Sequence, residues 1–420
     1  MNTDKKIIDN DELKMENGKL SILNSQLDKV EWKTLGEVAE VITTGHLNAN
    51  AMEDYGVYPF FTCNEKPYRI NSYEFDLEAI IISGNGSQVG HLNYFKGKFN
   101  AYQRTYVVGE IKKKLKIMFI YYYLKHNLKN YILKNSRKGS VPYITMPMLQ
   151  KLQIPIPPLS VQQEIVRILD TFTELTAELT AELTARKKQY SYYRDSLLSF
   201  EPQMNADKHG FEVEWKNLGE VGKFQRGKRF VKTDMISEGV PCIHYGEMYT
   251  YYDTWADETK SFVSKELVEK KKLRVAEKGD VVIVGAGETI EDLGKGTAWL
   301  GDEGVVTHDA CFSFRSSLNP KYVAYFTRTK QFHNQIKRNI SSGKISAINA
   351  KGLSKVIIPI PPLAEQERIV SILDKFDTLT TSISEGLPKE IELRKKQYEY
   401  YRDKLLTFKK PQIATTDEHR

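Results

Sequence analysis

The sequence predicts an α+β protein in which two mixed α/β domains are separated by two long, antiparallel coiled-coil helices. Three observations support this fold class: blocks of sequence occur twice in the same order, the segments between them mix strand-like and helix-like runs, and each copy then changes to a helical period. With 420 residues, the chain is long enough for two or three domains with separate cores.

The duplication is explicit. VEWKTLGEV at 30–38 returns as VEWKNLGEV at 213–221, and IPIPPL at 154–159 returns at 358–363. RKKQYSYYRDSLLSF at 186–200 returns as RKKQYEYYRDKLLTF at 394–408. Three matches in one order indicate an internal repeat. The stretches between the matches differ, so each half is a constant frame around a variable insert.

The inserts read as mixed α and β. Apolar runs predict strands at 57–62, 79–83, 102–108, 281–284 and 310–314, and helical periodicity predicts helices at 118–133 and 321–336. The domain boundaries that follow are an N-terminal extension at 1–29, a first domain at 30–158, a spacer helix at 159–202, a second domain at 203–362, a second spacer helix at 363–409 and a tail at 410–420.

A helix follows each IPIPPL block. In the first, Ser160 and Gln163 form a predicted capping box, and about forty residues at 1.5 Å each give a rod of about 60 Å. In the second, Gly386 and Pro388 predict a break or kink. A 4-3 spacing of apolar residues predicts a coiled-coil seam in both helices. The predicted seam consists of Ile165, Leu169, Phe172, Leu179, Leu183, Tyr190, Tyr193, Leu197, Ile369, Leu373, Phe376, Tyr398, Tyr401 and Leu405.

The first spacer helix contains the tandem repeat TELTAELTAELTA at 173–185. It could be a slipped-strand duplication that a permissive helix tolerates. Each TAEL unit nevertheless lengthens an α-helix by about 6 Å and turns its end by about 40°. A repeat of this kind changes the distance between the elements that the helix separates.

These residues resemble a known family. The constant frame around two variable inserts, the IPIPPL blocks, the TAEL repeats and the paired RKKQYxYYRDxLLxF blocks are similar to the specificity subunits of type I restriction–modification systems, most of all to their IC branch. The resemblance covers the chain from about residue 30 to residue 408.

The resemblance implies that each insert is a target-recognition domain reading one half of an asymmetric, bipartite site in double-stranded DNA. The helices would set the gap between the halves and dock two adenine methyltransferase subunits. It implies no cofactor in this chain: S-adenosylmethionine would belong to the methyltransferases, and ATP and Mg²⁺ to the motor-nuclease subunits of the full complex. We expect a cytoplasmic protein without a membrane segment.

Several chemistries find no support in the residues. The string at 319–322, Asn-Pro-Lys-Tyr, lacks the second proline of an adenine methyltransferase loop, and GxxxxGK at 222–228 is followed by Arg229 instead of the Ser or Thr that would hold Mg²⁺. The histidines show no metal-ligand spacing, and Cys63, Cys242 and Cys311 lie far apart. We therefore expect no catalytic residues and no metal site.

Candidate DNA contacts are polar residues in or beside turns, because Arg, Lys, Asn and Gln read base edges and bind phosphates. The candidates are Asn85, Gln88, His91, Gln103, Arg104, Arg137, Lys138 and Tyr143 in the first insert, and Gln225, Arg226, Lys228, Arg229, His308, Arg338, Lys344 and Ser346 in the second. Any single one could instead be a solvated surface side chain.

The net charge of +7 favours a polyanionic partner without requiring one. Two alternatives to the DNA-specificity subunit stay open on the residues alone. One is a two-domain scaffold whose inserts bind proteins and whose coiled coil is a tether. The other is a free-standing DNA enzyme, which the missing motifs disfavour.

Overall fold

The computed structural model describes residues 30–135, 142–200, 211–287, 289–341, 343, 345–382 and 385–409. The described residues divide into two compact units. The first runs to Ala177 and resumes at Leu393, and the second is Glu178–Glu392. Each unit therefore combines one insert with parts of the spacer helices, whereas the sequence boundaries had placed the helices outside the domains.

The elements of the first unit follow the sequence frame. Its strands are β1 (Glu31–Thr34), β2 (Ala39–Thr44), β3 (Tyr58–Phe61), β4 (Tyr68–Ile70), β5 (Phe75–Ser83), β6 (Leu92–Ala101), β7 (Thr105–Ile111) and β8 (Gln153–Ile156). Its helices are α1 (Leu35–Val38), α2 (Ile117–Asn135), α3 (Met146–Gln150) and the beginning of α4 (Leu159–Leu197), and the end of the chain returns to it in α12 (Gly386–Leu406).

The first insert is built on a six-stranded sheet in the order β2-β7-β5-β6-β3-β4. Its strands are antiparallel except for the parallel pair β3 and β6. One face packs against α2 in a core that includes Ile80, Val108 and Phe119. The other face buries a cluster around Phe61 and Phe99. Both faces of the sheet therefore bury apolar side chains, in keeping with the apolar run of β5.

The second unit holds the remaining elements. Its strands are β9 (Glu214–Asn217), β10 (Gly222–Arg226), β11 (Val240–Ile243), β12 (Trp255–Ala256), β13 (Ser261–Val263), β14 (Val275–Ala276), β15 (Val281–Val284), β16 (Ala286–Gly287), β17 (Gly296–Trp299), β18 (Val305–Thr307), β19 (Cys311–Ser316), β20 (Ser346–Ala347) and β21 (Ile357–Ile360). Besides parts of α4 and α12, its helices are α5 (Leu218–Val221), α6 (Glu247–Thr250), α7 (Lys265–Lys271), α8 (Pro320–Phe326), α9 (Lys330–Ile336), α10 (Ala350–Ser354) and α11 (Leu363–Thr381).

The second insert divides its strands between two larger sheets. A five-stranded sheet has the order β10-β19-β15-β17-β12, and a four-stranded sheet has the order β13-β11-β18-β14. The main core packs α8 and α9 on the five-stranded sheet through residues such as Tyr322, Phe332 and Phe314. The two short strands β16 and β20 pair with each other beside these sheets.

The repeated blocks form equivalent structures in the two units. β1 pairs antiparallel with β8, and β9 pairs with β21 in the same register, so that Glu31 faces Ile156 as Glu214 faces Ile360. The next turn is capped alike, because the Thr34 amide donates to Glu37 at 2.6 Å and the Asn217 amide donates to Glu220 at 2.8 Å. The frame that the sequence repeats is therefore also repeated in three dimensions.

One buried glutamine fixes the start of each spacer helix: Gln162 in the first and Gln366 in the second. Gln162 accepts a hydrogen bond from the Lys116 amide and donates to the carbonyls of Lys114 and Pro157. Gln366 accepts from the Asn319 amide at 3.0 Å and donates to the Pro361 carbonyl at 2.9 Å. α4 itself begins at Leu159, one residue before the predicted cap Ser160, because the Pro158 carbonyl already accepts from the amides of Val161 and Gln162.

The helical seam shows a reciprocal pattern of contacts. In the first unit Phe172 stacks on Tyr401 with ring centroids 5.2 Å apart, and in the second Phe376 stacks on Tyr193 at 5.4 Å. Under the repeat, Phe172 corresponds to Phe376 and Tyr401 to Tyr193, so the two contacts are equivalent with the partners exchanged. Such reciprocity is expected of two repeated helices paired antiparallel.

Burial along the seam is uneven. The buried members are Ile165, Leu169, Phe172, Leu179, Tyr190, Ile369, Leu373, Tyr401 and Leu405, whereas Leu183, Leu197, Phe376 and Tyr398 are half-buried and Tyr193 is exposed. At the end of α4 the buried leucine is Leu198 rather than Leu197. None of the helices in the described residues is long and apolar enough to cross a membrane.

Two helical segments are each divided into two helices, one at a predicted break and one within a single predicted helix. The second spacer breaks after Thr381, and α12 begins at Gly386 with φ +78°, as Gly386 and Pro388 had predicted. The helix expected at 321–336 is instead α8 and α9, because the Thr329 side chain caps a new helix by accepting from the Phe332 amide at 3.2 Å. The predicted strand at 281–284 has the bounds of β15, and the other strands differ at their ends.

Candidate nucleic-acid interface

Four loops that follow strands and the segment before α3 meet in the first unit. We call residues 45–48, 62–64, 84–91, 102–104 and 143–145 the first loop cluster. Backbone hydrogen bonds hold it together: the Gly84 amide donates to the Arg104 carbonyl at 2.9 Å, and the Ile144 amide donates to the Gly84 carbonyl at 2.8 Å. The Tyr102 amide donates to the Phe61 carbonyl at 2.8 Å. The loops therefore have a fixed backbone from which their side chains project.

Side-chain hydrogen bonds join the same loops. The Cys63 thiol donates to Asn85 Oδ1 at 3.0 Å and lies 3.4 Å from the Arg104 carbonyl oxygen. The Gln103 amide group donates to Asn48 Oδ1 at 2.9 Å. The sequence had singled out Asn85, Gln103 and Arg104, and the structure brings them together. Gln88 and Tyr143 are exposed members of the same cluster, and His91 is half-buried.

The second unit contains an equivalent arrangement. We call residues 227–229, 244–249, 285–287, 308–310 and 345–349 the second loop cluster. The Gly285 amide donates to the Ala310 carbonyl at 2.7 Å, and the Ile348 amide donates to the Gly285 carbonyl at 2.8 Å. The His308 amide donates to the Ile243 carbonyl at 3.2 Å. These are the counterparts of the three backbone bonds in the first cluster.

One glycine in each cluster is required by a close approach of the backbone. A Cβ on Gly45 would lie 1.8 Å from the Ala101 carbonyl oxygen, and a Cβ on Gly227 would lie 2.2 Å from the His308 carbonyl oxygen. Both distances exclude any other residue without a backbone shift. Gly45 and Gly227 thus correspond, and with them Thr44 corresponds to Arg226.

Basic residues surround the second cluster. The Arg226 Nε donates to the Asp309 carbonyl at 2.8 Å, while the Arg226 carbonyl accepts from Arg274 Nη1 at 2.6 Å. Lys228 is half-buried, and its Nζ donates to the Lys271 carbonyl at 3.3 Å. Gln225, Arg229 and Arg338 are exposed. This cluster therefore offers several cations where the first cluster offers mainly neutral amides.

Two predicted contact residues are buried instead. His308 is 8% exposed, its ring packs against Phe230 and His244, and its Nδ1 accepts from the Ala310 amide at 3.1 Å. Burial, and after it the neighbouring His244, lowers the pKa of His308 to about 4, so the ring is neutral at pH 7. Ser346 is 5% exposed in the short pair of β16 and β20. These two side chains shape the loops and do not present a surface to DNA.

Arg137, Lys138 and Lys344 lie outside the described residues. Several contact candidates were missed from the sequence, among them Asn48 and Cys63 in the first cluster and Arg274 beside the second. Arg274 precedes β14, far along the chain from the QRGKR segment at 225–229 that it touches. Asn48 and Cys63 follow strands β2 and β3, so the position of a polar residue just after a strand was a usable signal for both.

A cavity of about 150 Å³ lies at the edge of the second cluster. Its lining includes Arg226, Asp309, Asn339, Ser341 and Asn349. These groups can donate and accept hydrogen bonds. Among the described residues there is no group of three or more His, Cys, Asp or Glu side chains arranged to hold a metal ion.

Comparison with known proteins agrees with this architecture. The family described as type I restriction modification DNA specificity domain matches residues 28–186 and 212–393. A putative type I restriction enzyme specificity subunit of Haemophilus influenzae is 36% identical over 398 residues, which cover 90% of this chain and 96% of that protein. The type I restriction enzyme EcoR124I/EcoR124II specificity subunit of Escherichia coli is 33% identical over 423 residues, covering 94% and 99%.

Solved structures share the fold. The S subunit of a type I restriction–modification system from M. genitalium has a TM-score of 0.54 at 18% identity, over 91% of this chain and 97% of that one. A chain from a study of complex assembly and conformational transition of the type I R-M system has a TM-score of 0.58 at 18% identity, over 90% and 97%. The predicted fold class is confirmed, and the two matched segments, together with the level of identity over nearly the whole chain, show that it belongs to the type I restriction–modification DNA specificity family.

Proposed function

We propose that the chain is the non-catalytic DNA-specificity subunit of a type I restriction–modification complex and that each loop cluster reads one half of a bipartite duplex site. The observation that carries the proposal is the pairing of equivalent backbone frames with different side chains. Gly84 and Gly285 make the same backbone hydrogen bonds in their clusters. The residue after Gly84 is Asn85, whereas the residue after Gly285 is Ala286. Two readers with one backbone and two surfaces suit two different half-sites.

Residue chemistry supports DNA as the ligand. The exposed side chains of the clusters include the amides of Gln88 and Gln103 and the cations Arg104 and Arg229, and such groups bond to base edges and phosphates. Among the described residues of the two clusters, the acidic side chains are Glu247, which is buried, and Asp309. A net charge of +7 adds attraction to a polyanion.

The proposal includes partners and cofactors. Two adenine methyltransferase subunits would dock on the repeated frame, supplying S-adenosylmethionine chemistry, and motor-nuclease subunits would bring ATP and Mg²⁺ in the full complex, all in the cytoplasm. The repeat offers two equivalent exposed surfaces for this purpose. Tyr192 is 69% exposed on α4, and its repeat counterpart Tyr400 is 52% exposed on α12. A single recognition patch present twice fits two copies of one partner.

Methylation sequencing tests the proposal. DNA is isolated from cells that carry this gene together with the gene of the methyltransferase partner, and from cells that carry the methyltransferase gene alone. We expect a bipartite, adenine-methylated motif that requires both genes. If both proteins are produced and no motif is methylated, the proposal fails, and the protein-binding scaffold takes its place.

A further inference from the structure

The side chain of Arg226 is held in one orientation at the end of β10. Its Nε donates to the Asp309 carbonyl at 2.8 Å, and its backbone carbonyl accepts from Arg274 Nη1 at 2.6 Å. Within the described part of the chain, the two Nη groups of Arg226 have no hydrogen-bond partner. An arginine that uses Nε for support keeps a pair of parallel N–H donors at its outer end.

Two parallel donors match the paired acceptors O6 and N7 of guanine in the major groove. We propose that Arg226 reads a guanine in the half-site bound by the second unit, and that Arg274 is the positioning residue that holds the Arg226 backbone. The inference rests on the proposed function and adds to it the base and the residue that reads it.

The surroundings favour a base over a phosphate. Asp309 lines the same 150 Å³ cavity as Arg226, and a carboxylate repels a phosphate. Asn339, Ser341 and Asn349 line it too, and their neutral polar groups suit base edges. The Nε bond also orients the guanidinium group, and a directional contact of this kind suits a base edge.

The first unit lacks this device. Thr44 occupies the position that corresponds to Arg226, since Thr44 faces Tyr106 as Arg226 faces Phe312 in the equivalent strand pairs. A threonine cannot make the bidentate contact. The guanine contact through this position is therefore specific to the second half-site.

The test uses the complex of the full chain with its methyltransferase and a duplex carrying the methylated motif. Each guanine is replaced in turn by 7-deazaguanine, which pairs normally but lacks the N7 acceptor. We expect one guanine, in one half-site, at which this replacement weakens wild-type binding about fivefold or more, as the loss of part of a bidentate contact implies. Arg226→Ala should weaken binding to the normal duplex about tenfold and be insensitive to the replacement at that guanine.

Charge-matched variants separate a base contact from a phosphate contact. Arg226→Lys keeps the charge but not the parallel donors, so it should stay nearly as weak as Arg226→Ala. The control variant is Lys278→Ala, which also removes one exposed cation. Lys278 precedes β15, at the opposite end of that strand from Gly285, so this variant should keep the full sensitivity to 7-deazaguanine. Recovery of binding by Arg226→Lys, with a reduced dependence on salt in Arg226→Ala, would show a phosphate contact and overturn the inference.

The positioning role of Arg274 is tested by how far its variants change the sensitivity to 7-deazaguanine. Arg274→Ala should reduce the sensitivity to 7-deazaguanine without changing the unfolding midpoint, because Arg274 is exposed, and Arg274→Lys should restore the sensitivity by keeping a donor to the Arg226 carbonyl. A methylated motif with no guanine coupled to Arg226 refutes this inference and leaves the proposed function standing. The absence of any motif refutes both.

Discussion

The two units make the same contacts in their frames and different contacts at their loop clusters. In the frames, Asp170 accepts from the Tyr122 hydroxyl as Asp374 accepts from that of Tyr325. In the clusters, Cys63 and Asn85 stand where Tyr245 and Ala286 stand in the second unit. The backbone bonds of the clusters nevertheless correspond, so the frame and the loop backbone form one conserved structure and the outward side chains vary independently of it.

Because the frames and the loop surfaces differ in this way, DNA specificity can change without loss of the fold. The bonds that shape the loops, such as Gly84 to Arg104 and Gly285 to Ala310, use only backbone atoms. A substitution at an outward position therefore alters the surface offered to DNA and leaves those bonds in place. A substitution in the frame has the opposite consequence, because buried side chains hold it.

The largest effect should come from the helix between the repeated blocks. Deleting residues 180–183, one TAEL unit of α4, shortens the helix by about 6 Å, which corresponds to one or two base pairs at 3.4 Å each. We expect the methylated motif to keep both half-site sequences and to lose one or two pairs of its gap, so that the original sites are no longer modified. Methylation sequencing of the deletion variant measures this directly, and altered half-site bases would contradict it.

The frame should respond equally in both halves. Gln162→Ala and Gln366→Ala each leave buried amide and carbonyl groups without partners, and we expect each to lower the free energy of unfolding by about 3 kcal/mol. The matched control is Gln163→Ala, since Gln163 is exposed beside the buried Gln162. Denaturant unfolding measures the three variants. A loss in only one of the two glutamine variants would break the equivalence of the frames.

The sequence predicted the frame well because the frame is where the residues repeat. Matching blocks at 30–38 and 213–221 gave matching strands, and the apolar runs ending in Gly84 and Gly285 gave the central strands and their turns. The break at Gly386 followed from the residue type alone. These features depend on local sequence, so local patterns were sufficient.

The membership of the clusters depends on contacts that are distant in sequence. Cys63 reaches Asn85 and Arg104 only because β3 pairs in parallel with β6, a pairing that alternation of apolar residues does not reveal. His308 read as a polar turn residue, but Phe230 and His244 bury its ring. A polar residue in a turn can therefore support the loop from inside, and the sequence alone does not distinguish the two roles.

Acid should destabilise the second unit more than the first. The His308 ring faces His244, Asp309 and Arg229, and burial together with His244 lowers its folded-state pKa to about 4 from an ordinary value of 6.5. Between these values the unfolded state binds more protons, so the stability is complete above about pH 6.5 and is lost as the pH falls towards 4. The first unit has Thr62 and Tyr102 at the corresponding positions and lacks this pair.

The pH effect is measured with His308→Asn, whose amide stays neutral. We expect wild type to lose about 1 kcal/mol more unfolding free energy than this variant between pH 7 and pH 5, a value below the full effect of the pKa difference because the two histidines share it. Unfolding in denaturant at pH 7, 6 and 5 gives the comparison. Parallel pH profiles would show that the histidine pair contributes nothing.

The smallest effect should be confined to the first half-site. The Cys63 thiol donates to Asn85 Oδ1 at 3.0 Å and so directs the Asn85 amide group, a donor, away from the thiol. Cys63→Ala removes this orientation, and we expect about threefold weaker binding to the methylated motif, while Cys63→Ser, which keeps a donor, loses less. With the first half-site scrambled, the two variants should bind like wild type. Equal weakening on that duplex would mean that Cys63 acts on the whole protein, and the independence of the two readers would then be lost at this position.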